Sequence, residues 1–172
     1  MILILSPHLD DALFSMTNYL LHYNGFVIIC TLFTKEFDKK SFNGDYKYYA
    51  DTKTRKLEDN NAIQKLLKLN NNLKIKIIYL NLYDDLFRYY IKNIDIKNEI
   101  IDSLRYINKY YNFGKIFCPL GIGNHPDHCL TYKCASKVFD SRLIYYFYDY
   151  PYCNLKVNIY QRLNQLKVKN NI

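Results

Sequence analysis

Two short stretches hold most of the side chains that can bind a metal or move a proton. The first is Ser6-Pro7-His8-Leu9-Asp10-Asp11, and the second is Gly123-Asn124-His125-Pro126-Asp127-His128. Three of the chain's four histidines lie in them, together with three aspartates. Imidazole and carboxylate are ordinary zinc ligands at about 2.0–2.2 Å, and a catalytic zinc takes three such ligands and leaves a position for water. His8 and Asp11 can converge on one ion if the turn between them tightens. A third ligand from the distant stretch would complete an open site. The adjacent carboxylate, Asp10, would then serve as general base toward the water. There is a plainer account of each stretch alone. Asp10 or Asp11 would cap a following helix, and His-Pro-Asp-His would be a loop that ends in a capped helix. The two stretches together favour metal chemistry. His22 stands apart on a helical pattern and is expected to be structural.

Such a site needs elements that bring the two stretches to one place. Residues Met1 to Ser6 are continuously apolar up to Ser6-Pro7, as in a strand buried on both faces. Ala12 to Tyr23 place Leu13, Met16, Leu20 and Tyr23 on one helical face, with Gly25 as the stop. Phe26 to Phe33 form a second buried strand, and Lys35 to Tyr49 a long polar loop. Asp51 or Thr52 can cap a helix that carries Leu57, Ala62, Ile63, Leu66, Leu67 and Leu69. Leu73 to Leu80 read as a strand, Ile94 to Tyr110 as a helix, Lys115 to Cys118 as a short strand, His128 to Val138 as a helix and Leu143 to Tyr148 as a strand. After Pro151 the pattern fades. Strand and helix alternate from the first residue, which predicts an α/β fold: a Rossmann-like, three-layer α/β/α arrangement with a mainly parallel sheet. Both ligand-rich stretches follow strands, so both should open at the carboxyl edge, where such sheets bind ligands.

Composition narrows the class. A chain of 172 residues with 49% apolar and 23% charged residues fits one soluble domain over 1–172. No apolar run reaches the ~18 residues of a membrane span, and the N-terminus reads as a strand rather than a signal peptide, so a cytoplasmic protein is expected. The net charge of +8 and pI near 9.1 come from lysines scattered among Asn, Ile and Tyr, a pattern that AT-rich codons explain. No clustered basic face is visible, so no nucleic-acid partner is expected, and the 19 tyrosines fall at core-like positions. The five cysteines are odd in number and form no CxxC pair. Cys30 and Cys118 are expected as core fillers, and a thiolate ligand at Cys129 or Cys134 is the lesser reading. No GxGxxG or P-loop follows a strand, which argues against nucleotide phosphates.

These residues resemble the PIG-L/LmbE family of N-acetylglucosaminyl de-N-acetylases. Pro7-His8-Leu9-Asp10-Asp11 matches the family's HPDDE-type motif after the first strand, and His125-Pro126-Asp127-His128 its later HxxH. Arg55, Glu58 and Ala62 match an intervening pattern, and Tyr148-Asp149-Tyr150-Pro151-Tyr152 a segment of many bacterial members. The resemblance implies that His8, Asp11 and His128 bind Zn2+, with Fe2+ as the alternative. It implies Asp10 as base and then acid, protonated His125 as oxyanion stabiliser, Asp127 as the residue orienting His125, and Arg55 facing the substrate. Leu9 stands where proline is usual, and Ala12 where many members have glutamate. Members usually continue past the point corresponding to Ile172 with elements that wall the pocket, so the substrate side is expected to be open or completed by another subunit of a homo-oligomer.

The function expected on this basis is metal-dependent removal of an acetyl group from an N-acetylated amino sugar or its glycoside. The rival from another class is a non-catalytic sugar-binding or partner protein of the same fold. A nucleic-acid module is the third reading, resting only on charge and tyrosines.

Overall fold

The structure, a computed structural model, describes residues 1–37, 50–91 and 95–170. Most of the loop expected over Lys35 to Tyr49 lies outside the described residues, as does Ile94. Five strands form one sheet: β1 (Ile2–Ser6), β2 (Gly25–Thr31), β3 (Leu73–Tyr79), β4 (Lys115–Pro119) and β5 (Ile144–Phe147). Their order is β3-β2-β1-β4-β5, and every pairing is parallel, so the sheet is wholly rather than mainly parallel. Strand boundaries fall within two residues of those expected.

The period-two alternation of a strand explains the layers. Leu3, Leu5, Ile28, Cys30, Ile116 and Cys118 point to one face. There they meet α4 (Ile96–Tyr110) through Ile100 and Leu104, and α5 (Pro126–Val138) through Cys134 and Ala135. Ile2, Ile4, Val27, Ile29 and Phe117 point to the other face, where α1 (Asp11–His22) supplies Ala12, Met16 and Leu20. The helix α2 (Thr52–Leu69) adds Ile63 and Leu66 to that layer. The apolar run of β1 is therefore the signature of a strand covered on both sides. Asp51, not Thr52, caps α2, its carboxylate accepting the Thr54 amide at 3.1 Å.

Two helices carry too little apolar signal to be expected. One is the single turn α3 (Asp85–Arg88). The other is α6 (Lys156–Asn170), whose one buried position up to residue 167 is a charged one, Arg162. Arg162 docks the helix through the Leu120 carbonyl at 2.7 Å and the Tyr132 ring at 4.9 Å, where an apolar stripe would normally do so. The tyrosines also differ from expectation. Tyr89, Tyr106, Tyr110 and Tyr160 are exposed, because a tyrosine ring can lie on a neighbour while its hydroxyl stays in water, as Tyr106 does on Tyr110. His22 is exposed as well, its Nδ1 2.8 Å from the Asn18 carbonyl oxygen. Among the described residues no helix is long and apolar enough to cross a membrane.

Leu104 is fully buried between α4 and the sheet. Leu104→Ala should cost about 2–5 kcal/mol of stability, read as a lower denaturant midpoint at unchanged slope. A loss below ~1 kcal/mol would mean that α4 does not cover this face of the sheet.

Candidate active site

The sheet reverses its order between β1 and β4, and the site lies at the carboxyl ends of those two strands, the place where such folds open a crevice. The turn after β1 is held by its own side chains. Ser6 Oγ donates to the His8 carbonyl at 2.7 Å and accepts the Ala12 amide at 3.0 Å. The His8 amide donates to Asp11 Oδ2 at 2.8 Å. Asp10 sits between them with φ of 89°, a left-handed conformation that L-residues rarely adopt. Its amide donates to Asp59 of α2 at 3.3 Å. Neither aspartate caps α1 with its side chain: Asp10 makes no cap bond, and Asp11 turns inward instead.

The loop after β4 is shaped by Gly121 and Gly123, both at φ near 80°. A Cβ at Gly123 would lie 2.7 Å from the Tyr152 ring. Beyond them His125 caps α5, its Nδ1 accepting the Asp127 amide at 3.3 Å, with Pro126 in the first turn. The helix thus begins earlier than the expected His128, and His128 projects from its first turn, buried.

The side chains converge as follows. Asp11 Oδ2 is 3.3 Å from His8 Nδ1 and 3.3 Å from His128 Nε2. One ligand-capable atom from each of His8, Asp11 and His128 lies within 4.8 Å of the other two; the same holds for His8, His125 and Asp127. The other His8 nitrogen, Nε2, is 3.0 Å from Asp127 and 3.2 Å from Asp84. Asp127 contacts His125 through its backbone amide. The carboxylate pairs with Arg88 at 2.6 Å and faces His8. Arg55 lies beside the base candidate, 3.8 Å from Asp10 Oδ2, and donates to the Leu9 carbonyl at 3.4 Å. A cavity of about 310 Å³ opens onto Asp10, Asp11, His125 and His128, with Arg55 and Tyr150 at its walls. Cys129 lies aside from it, its Sγ donating to the Gly121 carbonyl, and Cys134 is buried against α4.

Sequence reasoning missed four residues. Asp149 holds His128 Nδ1 at 2.7 Å and accepts the Ile122 amide at 2.9 Å. Asp84, Arg88 and Asp59 complete the surroundings of His8 and Asp10. Position gives the usable signal: Asp149 follows β5 and Asp84 follows β3 at the same sheet edge, while Asp59 lies one helical turn after Arg55.

The electrostatics follow from crowded carboxylates. Burial disfavours the charged forms of His8 and His128, but neighbouring aspartates outweigh it. Asp11, Asp127 and Asp84 raise His8 well above the ordinary histidine range, and Asp11 and Asp149 hold His128 at about 9. Burial works against ionised Asp11 too, yet the two histidines hold it well below the usual carboxylate range. Asp10 is pushed up to about 6 by burial and by the Asp11 charge, which outweigh the opposing pull of Arg55 and His8. His125 is lowered by burial and by the two charged imidazoles, so it is neutral near pH 7. With Nδ1 accepting a backbone amide, its proton sits on Nε2.

In chelator, folded His128 keeps its proton to about pH 9, whereas an unfolded histidine releases it near ~6.5. The stabilisation is complete below that lower value and lost as pH rises through the upper one, at ~1.4 kcal/mol per pH unit. Asp149→Asn removes one carboxylate that holds this proton, so the loss should end at lower pH and be smaller in total. Denaturant unfolding across the window checks it, and an unchanged profile would remove Asp149 as the partner of His128.

Comparisons with known proteins identify the family and the fold. A family model described as GlcNAc-PI de-N-acetylase, PIG-L, matches residues 3–139. None of the curated proteins matches the sequence. Among solved structures, a triple mutant of a deacetylase of the teicoplanin biosynthetic pathway superposes with a TM-score of 0.63 at 22% identity, over 88% of this chain and 65% of that one. The pseudoaglycone deacetylase of an antimicrobial reagent gives 0.64 at 22%, over 88% and 64%. The zinc-inhibited form of a teicoplanin deacetylase gives 0.65 at 20%, over 88% and 68%. The chain therefore spans slightly less than two thirds of the first two, and at these identities the likeness establishes the fold. Because the family model covers well over half of its length, the chain belongs to the PIG-L, or GlcNAc-PI de-N-acetylase, family.

Proposed function

We propose that this chain is a metal-dependent amide hydrolase that removes the acetyl group from an N-acetylated amino sugar or its glycoside. The observation that carries the reading is the convergence of His8, Asp11 and His128 beside a cavity that Asp10 and His125 also line. Two imidazoles and one carboxylate are a donor set that suits zinc or ferrous iron. The buried Asp149 behind His128 is the kind of outer carboxylate that fixes a ligating imidazole. The neighbouring aspartates that raise His8 and His128 would equally favour a bound cation. Bound at these three residues, a divalent ion would supply a Lewis acid for the amide carbonyl and acidify water toward ~7.

The remaining steps belong to the chain's own side chains. Asp10, half-exposed in the cavity and pushed up to about 6, takes a proton from the attacking water. It then returns the proton to the departing nitrogen, so acetate and a free amine leave together. His125 donates its Nε2 hydrogen to the oxygen that gains charge. Asp127 keeps the cap of α5 in place through its amide. Arg55, near both Asp10 and the Leu9 carbonyl, holds the base and borders the sugar. The family's description supports an N-acetylglucosamine substrate, and the zinc-inhibited relative makes the native ion a question for assay rather than analogy.

The test uses the purified chain loaded in turn with zinc, iron and cobalt, and free amine released from N-acetylglucosamine glycosides as readout. Activity should require metal and vanish with chelator. Asp10→Asn should keep the ion and lose ~10²–10⁴-fold in kcat, about 3–5 kcal/mol of barrier. Asp11→Asn should lose the ion itself. Wild-type turnover by metal-loaded Asp10→Asn would refute the mechanism. A metal-loaded wild type that releases no amine from any acetylated sugar would favour the non-catalytic rival.

A further inference from the structure

Two groups of ligand-type side chains share His8 and have the same donor chemistry. His8, Asp11 and His128 form one, and His8, His125 and Asp127 the other, each offering two imidazoles and a carboxylate. His8 turns Nδ1 to the first group and Nε2 to the second, where Asp84 stands close as an additional carboxylate. Ligand type alone gives an ion no reason to choose between them.

The difference is a fixed cation. Asp127 is fully buried, with Oδ1 2.6 Å from Arg88 Nη1 and Oδ2 accepting the Asp85 amide at 3.0 Å. Arg88 is itself braced: it donates to the Tyr83 carbonyl at 3.0 Å and to Asp85 at 2.8 Å, and lies over the Phe33 ring at 5.3 Å. Among the described residues no lysine or arginine pairs with Asp11, whose charged neighbours are His8 and His128. The Arg88 guanidinium, braced against Asp127, keeps its charge at any working pH. An ion entering the second group would have to displace a buried ion pair.

We infer that Arg88 decides where the metal sits: its charge closes the His8–His125–Asp127 group to divalent cations and leaves His8, Asp11 and His128 as the site. The inference rests on the metal-binding reading above. It makes Arg88 a positioning residue, and it leaves His125 free of metal to donate its hydrogen.

Metal content after equilibration with zinc and dialysis tests this without any activity assay. The wild type should hold about one ion per chain. Asp11→Asn, which keeps an acceptor for the His8 amide, should lose the ion. Combining it with Arg88→Gln should restore an ion, at the second group. Adding His125→Ala should remove that ion again, and Asp11→Asn with Arg88→Lys, which keeps the charge, should stay empty. Two results overturn the inference: a folded Asp11→Asn/Arg88→Gln protein that stays empty, or Asp11→Asn alone with a full complement. If the double variant does not fold by circular dichroism, Arg88→Gln alone decides through its cobalt spectrum. A ligand field or stoichiometry changed from wild type supports the role, and an identical one rejects it. A wild type that binds no metal fails the reading beneath, a result distinct from all of these.

Discussion

Five aspartates and three histidines share one buried sheet edge, and the rest of the site answers the charge they create. Asp11 is pinned between two imidazoles, Asp84 and Asp127 face the same His8 nitrogen, and Asp149 backs His128. Buried carboxylates are tolerable only when cations or hydrogen bonds compensate them. This fold uses three kinds of compensation: backbone amides at Asp11, Asp127 and Asp149, an arginine at Asp127, and ionisable imidazoles at Asp11. Only the last kind can be exchanged for a metal. Asp10 is left partly outside the scheme, and its proton affinity is accordingly drawn toward neutrality.

The scaffold positions these groups through features that have little to do with chemistry. A wholly parallel sheet sends the loops after β1, β3, β4 and β5 to the same edge, so residues distant in sequence meet without a long excursion. The N-terminal turns of α1 and α5 start there, and each presents a ligand-type side chain: Asp11 on α1 and His128 on α5. Gly123 gives way to the Tyr152 ring, which lies tilted against His125 and edge-on to His128. Through Arg162, α6 clamps the Leu120 carbonyl just before that loop. The chemistry sits on rigid element ends rather than on long loops, which suits a site whose distances matter to a fraction of an ångström.

Much of this was legible in the sequence, for definable reasons. β1 and β4 announce themselves because a strand buried on both faces must be apolar throughout, and the ligand loops are conspicuous because His and Asp are dense in them. The alternation of elements implied the parallel sheet, and the family resemblance supplied roles that spacing alone left open. What stayed hidden depends on side-chain direction. The string marks the segment around Asp149 but does not show that its carboxylate turns to His128, or that the Asp127 carboxylate turns to Arg88 and His8 while its amide serves His125. The helix α6 was hidden because a buried arginine docks it, and hydrophobic periodicity cannot register an arginine. The tyrosines misled in the opposite sense, as aromatic residues counted toward a core that several of them only border.

The central claim is that the charge of this cluster is arranged for one divalent ion at His8, Asp11 and His128. An anomalous difference map from crystals grown with zinc or iron, collected at the metal's absorption edge, tests it most directly. The account predicts one strong peak, at bonds of about 2.0–2.2 Å to those three side chains. A peak on His125 and Asp127 instead, or none at full metal loading in solution, would contradict it.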